Sequence, residues 1–187
     1  DNAGMNGTDI DAIVLATATP DQTFPSTATR LQHAIGMTSG FAFDIHAVCA
    51  GFIYALANAN ALIQSGQAKT IMVVGAETFS RILDWEDRRT CVLFGDGAGA
   101  AFVERTDPDA PARILSSHLL SDGNLWELLY IPAGGSSMEV TPGRYSKNLH
   151  KMRMYGKEIF KVAVRTLADF AKRALESNGY GMDDLDW

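Results

Sequence analysis

The run Thr70 to Gly75, TIMVVG, is apolar at almost every position. A strand with one wet face alternates apolar and polar residues. A continuous apolar run fits a strand covered on both faces, as in a parallel sheet sandwiched by helices. Asp11 to Thr19, DAIVLATAT, reads as a second buried strand. Three helical patterns accompany these runs. Ser26 to Ile35 is capped by Ser26 or Thr27 after Pro25. Ala50 to Gln64 has Gly66 as its stop, and Met154 to Ser177 is long and amphipathic. Phe41 to Val48, Cys91 to Phe94, Ala98 to Val103 and Arg113 to Leu120 read as further strands. Ser121 to Asn148 is polar and rich in turn formers, a long surface excursion. Strands alternating with helices place the chain in the α/β class with a covered sheet.

The 187 residues are 47% hydrophobic and 20% charged, enough for one globular domain or a large part of one. The two cysteines, Cys49 and Cys91, lie far apart in sequence and match no zinc or disulfide spacing. That fits a reducing, cytoplasmic compartment. No apolar run reaches the roughly 18 residues of a membrane span. The net charge of −6 makes the whole chain a poor polyanion binder. Basic residues nevertheless crowd one region. Arg153, Lys157, Lys161 and Arg165 recur every fourth residue, which on a helix draws one stripe. The stripe is either a solvated face or a dock for an acidic or phosphate-bearing partner.

Cys49 sits where a strand-like run gives way to a helix-like one. Core packing is the default for a lone cysteine, and Cys91, inside the apolar TCVLF, takes that default. At the junction, backbone N–H groups and the positive end of the helix dipole favour a thiolate. The same amides can hold a developing oxyanion, and the small Ala50 and Gly51 leave room for a carbonyl. His46 stands an odd offset away and would point to the other face of a strand, so a structural role is expected for it. His33, His118 and His150 have no context that makes them partners. Gly95, Gly97 and Ala100 give a weak dinucleotide fingerprint, but AAFVE after them reads as a strand. The fingerprint must open a helix, so these glycines are expected in a tight turn with close backbone packing.

The two ends of the chain resemble each other. GTDIDAIV near the start and MDDLDW at the end both show Asp, apolar, Asp, apolar after a helix-like stretch and a glycine. The pattern leads into a buried strand near the start, and the opening DNAGM reads as the tail of a helix. The expectation is an internally duplicated fold, of which this sequence is a piece.

HAVCAGFIYAL, VVGAETFSRILDWEDRRTCVLFGDGAGAAF and MYGKEIFKVAV, in that order, closely resemble β-ketoacyl-acyl-carrier-protein synthase III. The resemblance implies a thiolase-like layered α/β/α/β/α sandwich with internal duplication. Residues 1–120 would form the N-terminal half, 121–150 a surface linker, and 151–187 the beginning of the C-terminal half. It implies a decarboxylating Claisen condensation of a short acyl-CoA primer with malonyl-acyl-carrier protein, through an acyl thioester on Cys49, with no cofactor beyond coenzyme A as substrate. Arg88, Met154, Gly156, Phe160 and Lys161 match positions that bind coenzyme A. Phe79, Val92 and Leu93 match the acyl pocket, and Phe24 matches a residue of the dimer contact. Arg153, Lys157, Lys161 and Arg165 would dock the acidic carrier protein. The family's catalytic His and Asn would follow Trp187, so the 187 residues alone would not complete the reaction. The chain departs from the pattern at Arg89, where Gly is common, and at Lys157, where a neutral polar residue is common. Two other readings stay open: a relative that uses the same cysteine for another acyl transfer, and a non-catalytic interaction domain.

Overall fold

The computed structural model describes residues 4–107, 109–110 and 112–186. Trp187 and the first three residues of DNAGM lie outside them. The chain forms two compact units. One comprises residues up to Glu77 with Asp96–Leu119; the other comprises Thr78–Gly95 with Leu120 onward.

The first unit is built on a four-stranded sheet. Its strands are β1 (Ala12–Ala16), β2 (Phe41–Ile45), β3 (Thr70–Thr78) and β4 (Asp96–Glu104), in the order β2-β1-β3-β4. β1 pairs in parallel with β2, Ala12 opposite Phe41, and with β3, Ala12 opposite Ile71. Arg105 N donates to Lys69 O, which sets the end of β4 beside the start of β3. All five residues of β1 are buried, as its unbroken apolar run requires. Alternate residues serve opposite layers. Ala12, Val14 and Ala16 pack with Ala55, Ala59 and Ile63 of α2 (Gly51–Gln64). Ile13 and Leu15 pack with Ala28 of α1 (Thr27–Ala34) and with Met37. Each large side chain so buried contributes about 1.5–3 kcal/mol.

Helix ends follow the sequence signals. Ser26 caps α1, its Oγ accepting from Thr29 N at 3.3 Å. Gly66, after α2, has φ +77, a conformation that L side chains avoid. A second cap on α1 has no local signal. The Asp44 carboxylate, on β2, accepts from Thr27 N and Ala28 N, both at 2.8 Å. An anion at a helix start is favourable to both the orphan amides and the dipole.

In the second unit, short β5 (Leu129–Tyr130) and β6 (Arg153–Met154) pair antiparallel. α3 (Pro142–Tyr145) is a single turn, and α4 (Gly156–Ser177) runs for 22 residues. Phe79, Leu83 and Met152 form this unit's buried cluster, with Phe94 stacked on Phe79 at 5.6 Å.

Two expected strands are not strands. Cys91–Phe94 is a turn: Thr90 N and Cys91 N both donate to Asp87 O, and Leu93 N donates to Thr90 O. Arg113–Leu120, His118 included, is not in a strand either. β2 stops at Ile45 rather than Val48, because the chain enters a 3-10 turn over Val48–Ala50. The excursion over 121–148 does contain short elements, among them a 3-10 stretch at Gly123–Leu128.

The similarity between the ends is present in the backbone. Gly7–Asp9 and Met182–Asp184 are both 3-10 turns. In the first, Asn6 N donates to Asp9 Oδ2 at 2.8 Å; in the second, Gly181 N donates to Asp184 Oδ2 at 2.7 Å. After the first turn comes Asp11, whose Oδ2 accepts from Lys69 N at 2.7 Å and Thr70 N at 3.0 Å. The Lys69 amide, with the Thr70 amide second, holds the Asp11 carboxyl below the usual carboxylate range. A carboxylate with a depressed folded value stabilises the fold above its unfolded pKa, about 3.9, and loses that contribution as pH falls through the folded value. Asp11→Ala is therefore expected to lower unfolding free energy by about 0.5–1 kcal/mol at pH 7, after discounting for exposure. The difference from the parent should shrink in urea melts once the pH drops below about 4.

Candidate active site

In a parallel α/β sheet, ligands gather beyond the carboxyl ends of the strands, where chain direction leaves loops and helix starts free. Cys49 lies there, four residues past the end of β2. The edge is ordered by Glu77 at the end of β3. Its carboxylate accepts from Ala18 N at 2.9 Å, Thr19 Oγ1 at 2.6 Å and Thr17 Oγ1 at 3.5 Å. Thr17 N in turn donates to Ile45 O at 3.1 Å. The loop that follows β1 is thus tied to both neighbouring strands, and it carries Phe24, which is 83% exposed.

Cys49 is exposed and not disulfide-bonded. It occupies the middle of the Val48–Ala50 turn that opens into α2. The turn is closed by Ala50 N donating to Ala47 O at 3.2 Å and by Gly51 N donating to Val48 O. The Cys49 amide makes no hydrogen bond among the described residues, so it remains free for an incoming carbonyl oxygen. Val48 has φ +46, a left-handed conformation that a β-branched residue adopts at a cost of about 1–3 kcal/mol. Strain of this kind persists where the surroundings over-determine it, and here they do. A Cβ on Gly51 would sit 2.9 Å from Ala16 Cβ, and one on Gly75 would sit 3.3 Å from the Phe52 ring. The start of α2 is pressed against β1 and β3 through these small residues. The sulfur is consequently presented on a fixed, sharp strand-to-helix corner with the helix start behind it.

His46 is exposed and forms no hydrogen bond among the described residues, so neither a partnership with the thiol nor the expected structural role is seen. Cys91, expected in the core, is only half-buried and belongs to no buried cluster, because the turn over Cys91–Phe94 keeps it near the surface. Gly95 and Gly97 do not open a helix; Gly97 belongs to β4. The expected close packing is absent, because a Cβ on Gly95, Gly97 or Gly99 would meet nothing within 4 Å.

The remaining candidates fall in the second unit. Arg88 is exposed, and its side chain forms no hydrogen bond or ion pair among the described residues. Arg89 is held by Asp87: Nε donates to Oδ1 at 2.8 Å and Nη2 to Oδ2 at 3.0 Å. Met154 lies in β6, Gly156 opens α4, and Phe160 and Lys161 are exposed on its first turns. Phe79 is a core residue at 7% exposure, whereas Val92 and Leu93 face solvent. Arg153 is not on the helix. It belongs to β6, where pairing with β5 keeps the backbone extended, and its Nη2 donates to Lys147 O and Asn148 O. The helical basic stripe therefore comprises Lys157, Lys161 and Arg165, all exposed. Beside it, Phe160, Val164 and Leu167 form an exposed apolar stripe.

A family profile described as 3-oxoacyl-[acyl-carrier-protein (ACP)] synthase III matches residues 43–123, which contain the Cys49 corner. The β-ketoacyl-[acyl-carrier-protein] synthase III of Cereibacter sphaeroides is 54% identical over 190 residues, covering 100% of this chain and 56% of the relative. The chain belongs to this family. Solved structures agree. The 3-oxoacyl-[acyl-carrier-protein] synthase III of Aquifex aeolicus superposes with TM-score 0.83 at 41% identity, covering 98% of this chain and 54% of that one. The enzyme of Pseudomonas aeruginosa superposes with TM-score 0.84 at 38% identity, covering 94% and 52%. The chain thus spans about half the length of these synthase III relatives. Its fold is the thiolase-like layered α/β sandwich with internal duplication, of which it presents a part.

The corner itself can be tested. Gly51→Ala drives a methyl into Ala16, and is expected to lower stability by about 1–3 kcal/mol as an overpacked contact, measured by thermal melts against the parent.

Proposed function

We propose that the protein to which this chain belongs condenses a short acyl-CoA primer with malonyl-acyl-carrier protein, with loss of carbon dioxide, at the start of fatty-acid synthesis. The observation that carries this reading is the exposed thiol on a strained corner, with an unbonded backbone amide at the same residue. In the first step the Cys49 thiolate attacks the thioester carbonyl. The Cys49 amide N–H would donate a hydrogen bond to the developing oxyanion, and coenzyme A leaves as its thiolate. In the second step malonyl thioester loses carbon dioxide. The resulting enolate carbon attacks the acyl carbonyl, a carbon–carbon bond forms, and Cys49 is released. The His and Asn expected to hold the enolate oxygen would lie after Trp187.

Within this reading, free Arg88 meets the phosphate-bearing part of coenzyme A, and Met154, Gly156, Phe160 and Lys161 line the path of its pantetheine arm. Phe79, Val92 and Leu93 shape the primer pocket. Lys157, Lys161 and Arg165 dock the acidic carrier protein, with Arg153 nearby in sequence. No cofactor is required. Residues 1–120 act as the N-terminal half, 121–150 as linker, and 151–187 as the start of the C-terminal half; the repeated 3-10 turn supports that division. β2 is an edge strand and Phe24 is exposed, which supports a homodimer through that side. Two free cysteines accord with a cytoplasmic location.

Incubation of the whole protein with acetyl-CoA should add one acetyl group to the Cys49 peptide, read by mass spectrometry. Cys49→Ala should abolish malonyl-dependent carbon dioxide release linked to condensation. Label elsewhere with Cys49 unmodified defeats the proposal. Charge reversal at Lys157 and Arg165, the two stripe residues with no part in coenzyme A binding, should raise the KM for malonyl-acyl-carrier protein at least tenfold while changing acetyl-CoA use by less than twofold, with the gap narrowing at high salt. Equal effects on both substrates would reduce the stripe to a solvated face.

A further inference from the structure

We propose that Arg89 is a positioning residue that keeps Asp87 off Arg88, so that Arg88 stays available to a phosphate-bearing thioester. The inference rests on the role given to Arg88 above. Asp87 lies one residue before Arg88 and two before Arg89. Both of its carboxylate oxygens are taken by Arg89, Oδ1 by Nε at 2.8 Å and Oδ2 by Nη2 at 3.0 Å, and Oδ1 also accepts from Arg89 N at 3.1 Å. This two-pronged grip is the strongest geometry a guanidinium offers a carboxylate. Asp87 is also fixed through its backbone, because its carbonyl accepts from Thr90 N, Cys91 N and Thr90 Oγ1. It cannot move away, so its charge must be answered locally.

Three guanidinium groups compete for it. Arg153 acts on Asp87 at longer range, but its own Nη2 is engaged by two backbone carbonyls. Arg89 holds the carboxylate. Arg88 is exposed and unbonded among the described residues. The Arg89 hydrogen bond lowers the Asp87 pKa, and Asp87 raises that of Arg89, the mutual signature of a satisfied pair. If Arg89 were a glycine, the carboxylate would keep its charge and lose its partner. The unoccupied neighbour, Arg88, would then be drawn into an ion pair and would meet a ligand phosphate only by breaking it.

The test uses the whole protein in five forms: parent, Arg89→Gly, Arg89→Gln, Asp87→Asn, and Arg89→Gly combined with Asp87→Asn. Asp87→Asn keeps Oδ1 as an acceptor while removing the charge. Arg89→Gly should raise the KM for acetyl-CoA about fivefold, the scale of one exposed ion pair, and leave kcat unchanged. The KM for acetyl-pantetheine, which lacks the nucleotide phosphates, should not move. Adding Asp87→Asn should restore the acetyl-CoA KM to within twofold of the parent. Arg89→Gln, which keeps most of the side-chain bulk, should behave as Arg89→Gly, so that a folding defect from the glycine is told apart. An unchanged KM in Arg89→Gly and Arg89→Gln overturns the proposal. So does a double variant as weak as Arg89→Gly, which would mean that Arg89 itself meets the phosphate, or an equal shift for acetyl-pantetheine. Failure of acetyl-CoA to acylate the parent at Cys49 overturns the underlying reading and this inference with it. Acylation of the parent with no KM change in the variants overturns the positioning role alone.

Discussion

Ala12, Val14 and Ala16 face one helix while Ile13 and Leu15 face another, so five consecutive residues separate two helical layers. The chain can bury a strand on both faces only if every residue is apolar and both neighbours satisfy its backbone; β2 and β3 do so in parallel register. Parallel pairing sends the three strand ends to one edge. Connections must then return across the faces as helices, and the loops and helix starts collect at that edge. The position of Cys49 is a consequence of this geometry. The sulfur lies where the second strand has ended and the helix that covers β1 begins.

Polar groups at that edge are committed elsewhere. Asp44 is spent on the amides of α1, and Glu77 on Ala18, Thr17 and Thr19. Both carboxylates are held by donors of the surrounding backbone and hydroxyls, while the Cys49 amide remains unbonded among the described residues. The second unit shows the same economy at Asp87, whose charge is absorbed by Arg89. At the first place the acids are held by amide and hydroxyl donors, at the second by a guanidinium, and in both the neighbouring exposed group, Cys49 or Arg88, is left without a side-chain partner among the described residues.

The regular elements were legible because their periods are long and their ends are marked. DAIVLATAT and TIMVVG became β1 and β3, Ser26 capped α1, and Gly66 stopped α2. Short apolar runs misled. Cys91–Phe94 has strand composition, yet its amides are drawn back to Asp87 O, a contact set by a turn and not by hydrophobic period. Arg153 continued a four-residue spacing into a segment where β5 imposes extended backbone, so periodicity overran the helix start at Gly156. At the site, type and placement singled out Cys49, but the Val48 conformation had no sequence signal; a valine argues against φ +46. The roles of Asp44 and Glu77 depend on residues 16 to 60 positions away, which composition and spacing cannot join. The family resemblance identified Arg88 as a position, and only the coordinates show which of two adjacent arginines is engaged.

The near-contact of Gly51 with Ala16 has one more implication. The Cys49 sulfur has almost no slack of its own: it is soldered, through one missing methyl, to a strand buried along its whole length. Small repackings beneath that strand would reach the sulfur as tilts of the corner before they registered as a loss of the folded population. Reactivity at Cys49 should thus serve as a finer gauge of the interior's fit than any melting curve.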